Sequence, residues 1–265
     1  MIVKCNNNQI QEIVDYIGKE YGKCLYLYID LIKYGCNSEF TKVWKNVEGK
    51  SIRLVMLAYH SALHIYSKDL DFNVDEVARF IRDKNPSIIC ASKPLIERIE
   101  SSLSNDGYIS EFGYIGKRVS SPQLKEKHQV ELAKEEDVDQ IARLLYEDDD
   151  IGASYTYDDL VAQINERLSQ GFVRSFVIRQ DNKIVAHLGT GAEIQNLCTI
   201  NYVITDPDYR GRGLSSSLFS YACQQLESEG KEIFSVYYPE NSRRLHHKMG
   251  FEDFCEFGKL YKNIV

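Results

Sequence analysis

Apolar side chains at Ile10, Ile13, Val14, Ile17 and Tyr21 recur at i, i+3, i+4, i+7 and i+11, one face of a helix. Val74, Val77, Ala78 and Ile81 repeat that spacing, and Ile96, Ile99 and Leu103 continue it in a further helix. Between the first two helical stretches lie TKVWKNV, KSIRLVMLAYH and ALHIYS, whose β-branched and aromatic content predicts three successive strands. PSIICA reads as a short buried strand and YISEFGYIGKRV as a longer one. CLYLYIDLIKYG suits a helix ended by Gly35, although the same residues suit a strand.

The second half follows a similar course. KHQVELA predicts a strand, Val138, Ile141, Ala142 and Leu145 a helix, and Leu160 or Val161 with Ile164 and Leu168 another, ending at Gly171. Three strands follow: GFVRSFVIRQ, then KIVAHLGTGAEI after an Asp181-Asn182 turn, then LCTINYVIT. A glycine-rich turn leads into a helix with Leu214, Leu218, Ala222 and Leu226 on one stripe, closed by Gly230. The strand EIFSVYY, the short helix NSRRLHHKM and strands around FEDFCEF and KLYKNIV complete the chain. Each half thus reads helix, helix, three strands, helix, strand, helix, strand, which points to a structural repeat without residue-level identity.

At 265 residues the chain has room for one large domain or two of about half that length. Its net charge of −7 argues against a binder of phosphate backbones. That charge is uneven: residues 1–125 carry 17 basic and 15 acidic side chains, and 126–265 carry 15 and 24. The change falls near SSPQLKEK, read as a linker at 121–126 between an N-terminal domain at 1–120 and a C-terminal one at 127–265. Seven cysteines without a C-x-x-C pair give neither a disulfide framework nor a metal site. With no membrane-length apolar run and no signal-peptide core at the start, a reduced, cytoplasmic protein is expected.

Chemistry concentrates in TDPDYRGRGLSS, residues 205–216, between the apolar run Ile200–Ile204 and the amphipathic helix. Glycines at 211 and 213 free backbone amides at a helix N-terminus, an arrangement suited to an anion. The corresponding segment of the first half, YSKDLDFNVDEV, has no glycine and several carboxylates and suits no anion.

These residues resemble the GNAT superfamily of acyl-CoA-dependent N-acetyltransferases. NYVITDPDYRGRGLSSSLF is similar to its strand, Arg/Gln-x-x-Gly-x-Gly/Ala turn and helix, with Arg210, Gly213 and Ser215 in the motif positions. LHHKMGF at 245–251 is similar to a second family feature, a short helix ending Leu-Tyr-x-Lys-x-Gly-Phe. The resemblance implies an α/β (α+β) fold in which each half is a mixed, mainly antiparallel sheet flanked by helices. The first half is then a degenerate copy without the cofactor motif. It also implies acetyl-CoA as co-substrate, no metal, and a primary amine of a small molecule, amino acid derivative or peptide as acceptor. No nucleic acid or membrane partner is expected, and the chain is expected as a monomer or homodimer.

The resemblance carries particular residues with it. Amides of Gly211, Arg212, Gly213, Leu214, Ser215 and Ser216 are expected to hold the pyrophosphate of coenzyme A, with Arg210 and Arg212 adding charge. Val203, Ile204 and Thr205 are expected to pair with pantetheine like an added strand, splayed from EIFSVYY. Asn241 is expected as a further cofactor contact. Transfer also needs a neutral amine, oxyanion stabilisation and a proton for the leaving thiolate. His246 fills the position of the family's tyrosine acid, while His247 faces elsewhere on the helix. Glu193 is a candidate base; Thr199 stands where relatives carry a glutamate, so Tyr202 or a water chain is the alternative. The stretch 148–159, DDDIGASYTYDD, matches the acceptor-binding loop and offers two tyrosines and several acids. A protein that binds acyl-CoA without catalysis is the competing expectation.

Overall fold

The computed structural model describes residues 1–122, 127–152, 156–171, 173–238 and 240–262. By Cα proximity they divide into two units: Met1–Ile115 with Asp253–Lys262, and a second running from Gly116 to Glu252. In chain order the first unit contains β1 (Ile2–Lys4), α1 (Ile10–Ile17), α2 (Leu25–Tyr34), β2 (Thr41–Glu48), β3 (Ser51–Tyr59) and β4 (Ala62–Tyr66). These lead to α3 (Val74–Lys84), β5 (Ile88–Ser92), α4 (Lys93–Glu100) and β6 (Tyr108–Arg118). The second contains β7 (Glu131–Leu132), α5 (Val138–Tyr146), α6 (Asp149–Gly152), α7 (Tyr157–Ser169), β8 (Ser175–Gln180), β9 (Lys183–Ile194) and β10 (Leu197–Thr205). It continues with α8 (Leu214–Ser228), β11 (Glu232–Tyr237) and α9 (Glu240–Lys248), and the chain ends in β12 (Phe251–Lys262).

In the first unit the strand order is β1-β2-β3-β4-β5-β12-β6. Neighbours from β1 to β4 are antiparallel, β4 and β5 are parallel, and β5 is antiparallel to β12. The order β11-β10-β9-β8-β7 holds in the second, antiparallel except for the parallel β10–β11 pair. The parallel pair thus occupies the same place in both halves: it brackets α3 in one and α8 in the other. A parallel pair needs such a crossover, since a tight hairpin cannot reverse the chain twice. This shared topology carries the repeat that the sequence showed only as an order of elements.

The last strand departs from the expected division at 121–126. FEDFCEF and the first four residues of KLYKNIV lie in one strand, β12, whose Phe257–Tyr261 pair with Ser92–Ile88 of the first unit. Its apolar pattern fixes a strand but not which sheet edge receives it. Most of the expected linker, residues 123–126, lies outside the described residues. KHQVELA contributes only Glu131 and Leu132 to a strand, and β1, three residues long, is too short for a periodicity signal.

In the second unit, two clusters sandwich the sheet. Leu214, Leu218, Ala222 and Leu226 of α8 pack with Leu188, Ile200 and Phe251. On the other face Ile141, Leu145 and Leu160 pack with Val177, Ile184 and Ile204. The stripe Val77, Ala78 and Ile81 of α3 is buried in the first unit's own cluster. Among the described residues no helix is long and apolar enough to cross a membrane.

Candidate acyl-CoA site

Beyond Thr205 the chain is pinned by Asp206, whose carboxylate accepts from the Asp208 amide at 3.0 Å and from Lys183 Nζ at 2.7 Å. The lysine contact holds the Asp206 carboxyl below its usual range. A 3-10 turn over Pro207–Tyr209 follows, then Gly211 at φ +77° and Gly213 at φ +83°, where α8 begins. A Cβ at either glycine would meet nothing within 4 Å, so the backbone angle, not crowding, demands glycine. The first bond closing the helix runs from the Ser217 amide to the Gly213 carbonyl, 3.1 Å. No side chain caps α8. Among the described residues, the amides of Gly211 through Ser216 donate no hydrogen bond.

Six unused donors at the positive end of a 15-residue helix fit a pyrophosphate. The two arginines make contacts within the turn. Arg210 Nε donates to the Thr205 carbonyl at 3.1 Å and its guanidinium stands 3.8 Å from Asp148. Arg212 donates to the Asp208 carbonyl at 2.9 Å and lies over the Tyr209 ring, 4.8 Å from its centre. Ser215 Oγ and Thr205 Oγ1 share a hydrogen bond of 2.9 Å, tying strand end to helix start, while the Leu214 side chain is buried in the core. A cavity of about 290 Å³ adjoins the turn, but Glu147, Asp148, Asp206 and Asp208 outnumber Lys183 and Arg210 around it. Phosphate is therefore favoured on the amide side and opposed on the cavity side.

The first half offers no counterpart. The α3 N-terminus is closed by Asn73, whose side chain accepts from the Glu76 amide at 2.9 Å, and Asp75 and Glu76 occupy its first turn. Between β4 and β5 remains a void of only about 10 Å³, walled in part by Cys24, Tyr26, His64 and Cys90.

Val203, Ile204 and Thr205 lie on a strand that has lost one neighbour. β10 and β11 pair from Leu197↔Glu232 to Ile200↔Ser235 and no further, while β10 stays paired with β9 to Thr205↔Ala186. Past Ile200 the edge facing β11 lies open to an extended ligand. A bulge sets in here, two β10 residues opposing one between Asn201 and Ile204, and Tyr202 adopts φ +52°. The Tyr202 carbonyl accepts from His187 Nδ1 at 3.0 Å, and the side chain packs toward the α5–α7 cluster.

His246 is not where an exposed acid would be. The ring is 3 % exposed, stacked on Tyr237 at 4.4 Å and edge-on to Phe219 at 5.0 Å. Its Nδ1 donates to the Ser242 carbonyl at 2.7 Å, and Nε2 lies 2.8 Å from Ser235 Oγ, whose hydroxyl also reaches the Ile200 carbonyl at 3.0 Å. Burial lowers its pKa to about 4. His187 is lowered to about 4 by burial as well. Both rings are neutral when folded and protonate on unfolding below their ordinary value of 6.5. Stability is therefore retained in full above about pH 6.5 and falls as pH drops toward 4. Urea unfolding at several pH values checks this; a flat profile from 6.5 to 4 would contradict neutral, buried rings.

Glu193, expected as a base, is held by ion pairs and a hydrogen bond. Arg174 binds it twice, Nε to Oε1 at 3.0 Å and NH2 to Oε2 at 2.8 Å, and Thr190 Oγ1 donates to Oε1 at 2.7 Å. Lys231 Nζ stands 3.7 Å away, and Arg174 also binds Glu229 at the end of α8, the opposite end from the glycine turn. Glu193 faces Cys198, before the strands part. Thr199, in the glutamate position of the family, is fully buried, and its Oγ1 has no hydrogen-bond partner among the described residues. Replacing it by valine removes an unsatisfied hydroxyl of equal shape and stabilises the protein by about 1 kcal/mol, read from urea midpoints.

Of the loop at 148–159, residues 153–155 lie outside the described residues. Tyr157 is half-buried at the start of α7, packed against the α5–α7 cluster with its hydroxyl bonded to Asp139. Asn241 lies within α9, and its side chain lies outside the described residues. Ser235 and Gly191, both at this juncture, were missed. An isolated serine in a strand carries no sequence signal, and Gly191 is unreadable without the bulge that puts it opposite Thr199 and Asn201.

Residues 136–251 match the model of the acetyltransferase (GNAT) family. No curated protein matches the chain. Among solved structures, a GCN5-related N-acetyltransferase-like protein of Streptococcus suis is similar over 96% of this chain and 98% of its own, at 14% identity and TM-score 0.63. A GNAT-family acetyltransferase of Colwellia psychrerythraea covers 99% of this chain and 100% of its own, at 11% identity and TM-score 0.61. A tandem GNAT protein from the clavulanic acid biosynthesis pathway covers 99% and 98%, at 9% identity and TM-score 0.61. At such identities these likenesses speak to fold alone, and they extend it to both halves. The chain has a tandem GNAT fold, and its residues 136–251 are a domain of the GNAT acetyltransferase family.

Proposed function

We propose that the protein transfers an acetyl group from acetyl-CoA to a primary amine of a small molecule, amino acid derivative or peptide, in the cytoplasm. The observation that carries this reading is the row of unused amides from Gly211 to Ser216 at the uncapped start of α8, beside a strand edge opened past Ile200. Acetyl-CoA supplies an activated acyl carbon. The chain's residues hold its phosphates on the turn and extend Val203–Thr205 alongside its pantetheine arm. A neutral amine forms the C–N bond as the C–S bond breaks, and the thiolate takes a proton.

Tyr202 is the residue we assign to that proton. It was read from the sequence as an alternative base; it lies past the last β10–β11 pair and, unlike His246 and Glu193, occupies a backbone conformation costly for a side-chain-bearing residue, held there by the bulge. His246 acts as a buried support for Ser235, and Glu193 as an anchor of the strand's far end. Amine deprotonation is left to water, since no carboxylate stands in place of Thr199.

Acetyl-CoA added to the purified chain at about 100 times its dissociation constant should raise stability by roughly 2.7 kcal/mol. Absence of any saturable shift would remove the basis of this reading. The missing carboxylate at Thr199 and the burial of His246 favour one second reading, a protein that binds acyl-CoA without turning it over. Release of free thiol separates the two.

A further inference from the structure

Ile200 is buried beneath α8 and Ile204 beneath α5 and α7, on opposite faces of the sheet. Residues four apart on a regular strand share a face, so burying both isoleucines requires one extra residue between them. It does not say which residue takes the strain. Asn201 is the neighbour best suited to a left-handed backbone, since asparagine tolerates it and tyrosine avoids it. Yet it is Tyr202 that stands at φ +52°, where Tyr202 and Val203 oppose Leu188 alone.

His187 accounts for that choice. Its ring is 2 % exposed and lies over Gly189, where a Cβ would stand 3.1 Å from Cε1. Gly189 pairs with Ser175 of β8 on one side and Asn201 of β10 on the other, so the ring sits across three strands. The Tyr202 carbonyl can only accept, which puts the proton on Nδ1, 3.0 Å away. In the neutral ring Nε2 is then bare and accepts from Ser175 Oγ at 3.1 Å. One chain of hydrogen bonds runs from β8 through β9 to the left-handed residue of β10.

We infer that His187 is a positioning residue: by holding the Tyr202 carbonyl it places the bulge at Tyr202 and so sets the direction of that side chain. Its effect on rate rests on the acyl-transfer reading, and its effect on the backbone does not. His187 takes no proton in the reaction.

Crystal structures of the intact chain and of His187→Leu decide the placement. The positive φ should leave Tyr202 for Asn201; an unchanged φ at Tyr202 overturns the inference, whether or not acetyl transfer occurs. In thiol release, His187→Leu should lower kcat about tenfold or more while the Kd for acetyl-CoA stays within several-fold. His187→Asn should restore most of that rate, because its amide donates from the place of Nδ1. Adding His187→Leu to Tyr202→Phe should cost nothing further. Full kcat in His187→Leu, no rescue by asparagine, or an additive double variant overturns the positioning role. Ser175→Ala keeps the ring but frees its tautomer. It should lower kcat by several-fold, again without effect on top of Tyr202→Phe, and decides the matter if His187→Leu does not fold. Failure of the acyl-transfer reading registers separately, as absence of thiol release from the wild type. Full activity in Tyr202→Phe likewise removes the acid and leaves the placement to be read from φ.

Discussion

Gly213→Asp abolishes the thermal stabilisation by acetyl-CoA while leaving the melting temperature of the free protein nearly unchanged. Two opposing effects act on the fold. At φ +83° an aspartate is strained by about 1–2 kcal/mol. Its carboxylate, however, stands at the start of a helix that no side chain caps, where aspartate typically contributes about 1 kcal/mol. The same carboxylate competes for the amides that a pyrophosphate needs and repels it, so affinity falls by at least about two orders of magnitude. Melting curves with and without ligand, compared with wild type, measure both quantities at once. A variant that still shifts with acetyl-CoA would move the cofactor off the glycine turn.

Tyr202→Phe lowers kcat by about 100-fold and leaves acetyl-CoA binding intact, the size typical of a lost general acid. Its hydroxyl is the only group removed, and the bulge that holds it is made by backbone. Glu193→Gln behaves oppositely. It breaks the bidentate contact with Arg174 and loses the attraction of Lys231, at a cost of about 1–2 kcal/mol, but kcat at saturating substrate stays within about twofold. Steady-state kinetics alongside urea unfolding separate the two variants. Full activity in Tyr202→Phe would take the acid's role from Tyr202, and a collapse of kcat in Glu193→Gln would restore Glu193 as the base.

The glycine turn and the elements on either side of it were legible because they are local. Two glycines, the strand before them and the amphipathic stripe after them lie within one contiguous stretch, and each has its own physical signature. Catalytic roles were harder, because they depend on which way side chains point once distant strands pair. Glu193 looked available until Arg174, nineteen residues upstream in sequence, was brought onto it by the β8–β9 pairing. His246 kept its helix, yet the face that it presents is the buried one, settled by Phe219, Tyr237 and Phe251. The last strand was seen as apolar stretches, but pairing with β5 spans more than 160 residues of chain, beyond any local pattern. The repeat followed the same rule: element order was readable, and the parallel pair that defines it was not.

Thiol release from acetyl-CoA, followed across a panel of primary amines and amino acids, tests acyl transfer most directly. The expected result is amine-dependent free thiol that saturates in both substrates and disappears in Gly213→Asp. Stable binding of acetyl-CoA with no thiol released by any amine would contradict it, and would leave a protein that holds acyl-CoA on the glycine turn without using it.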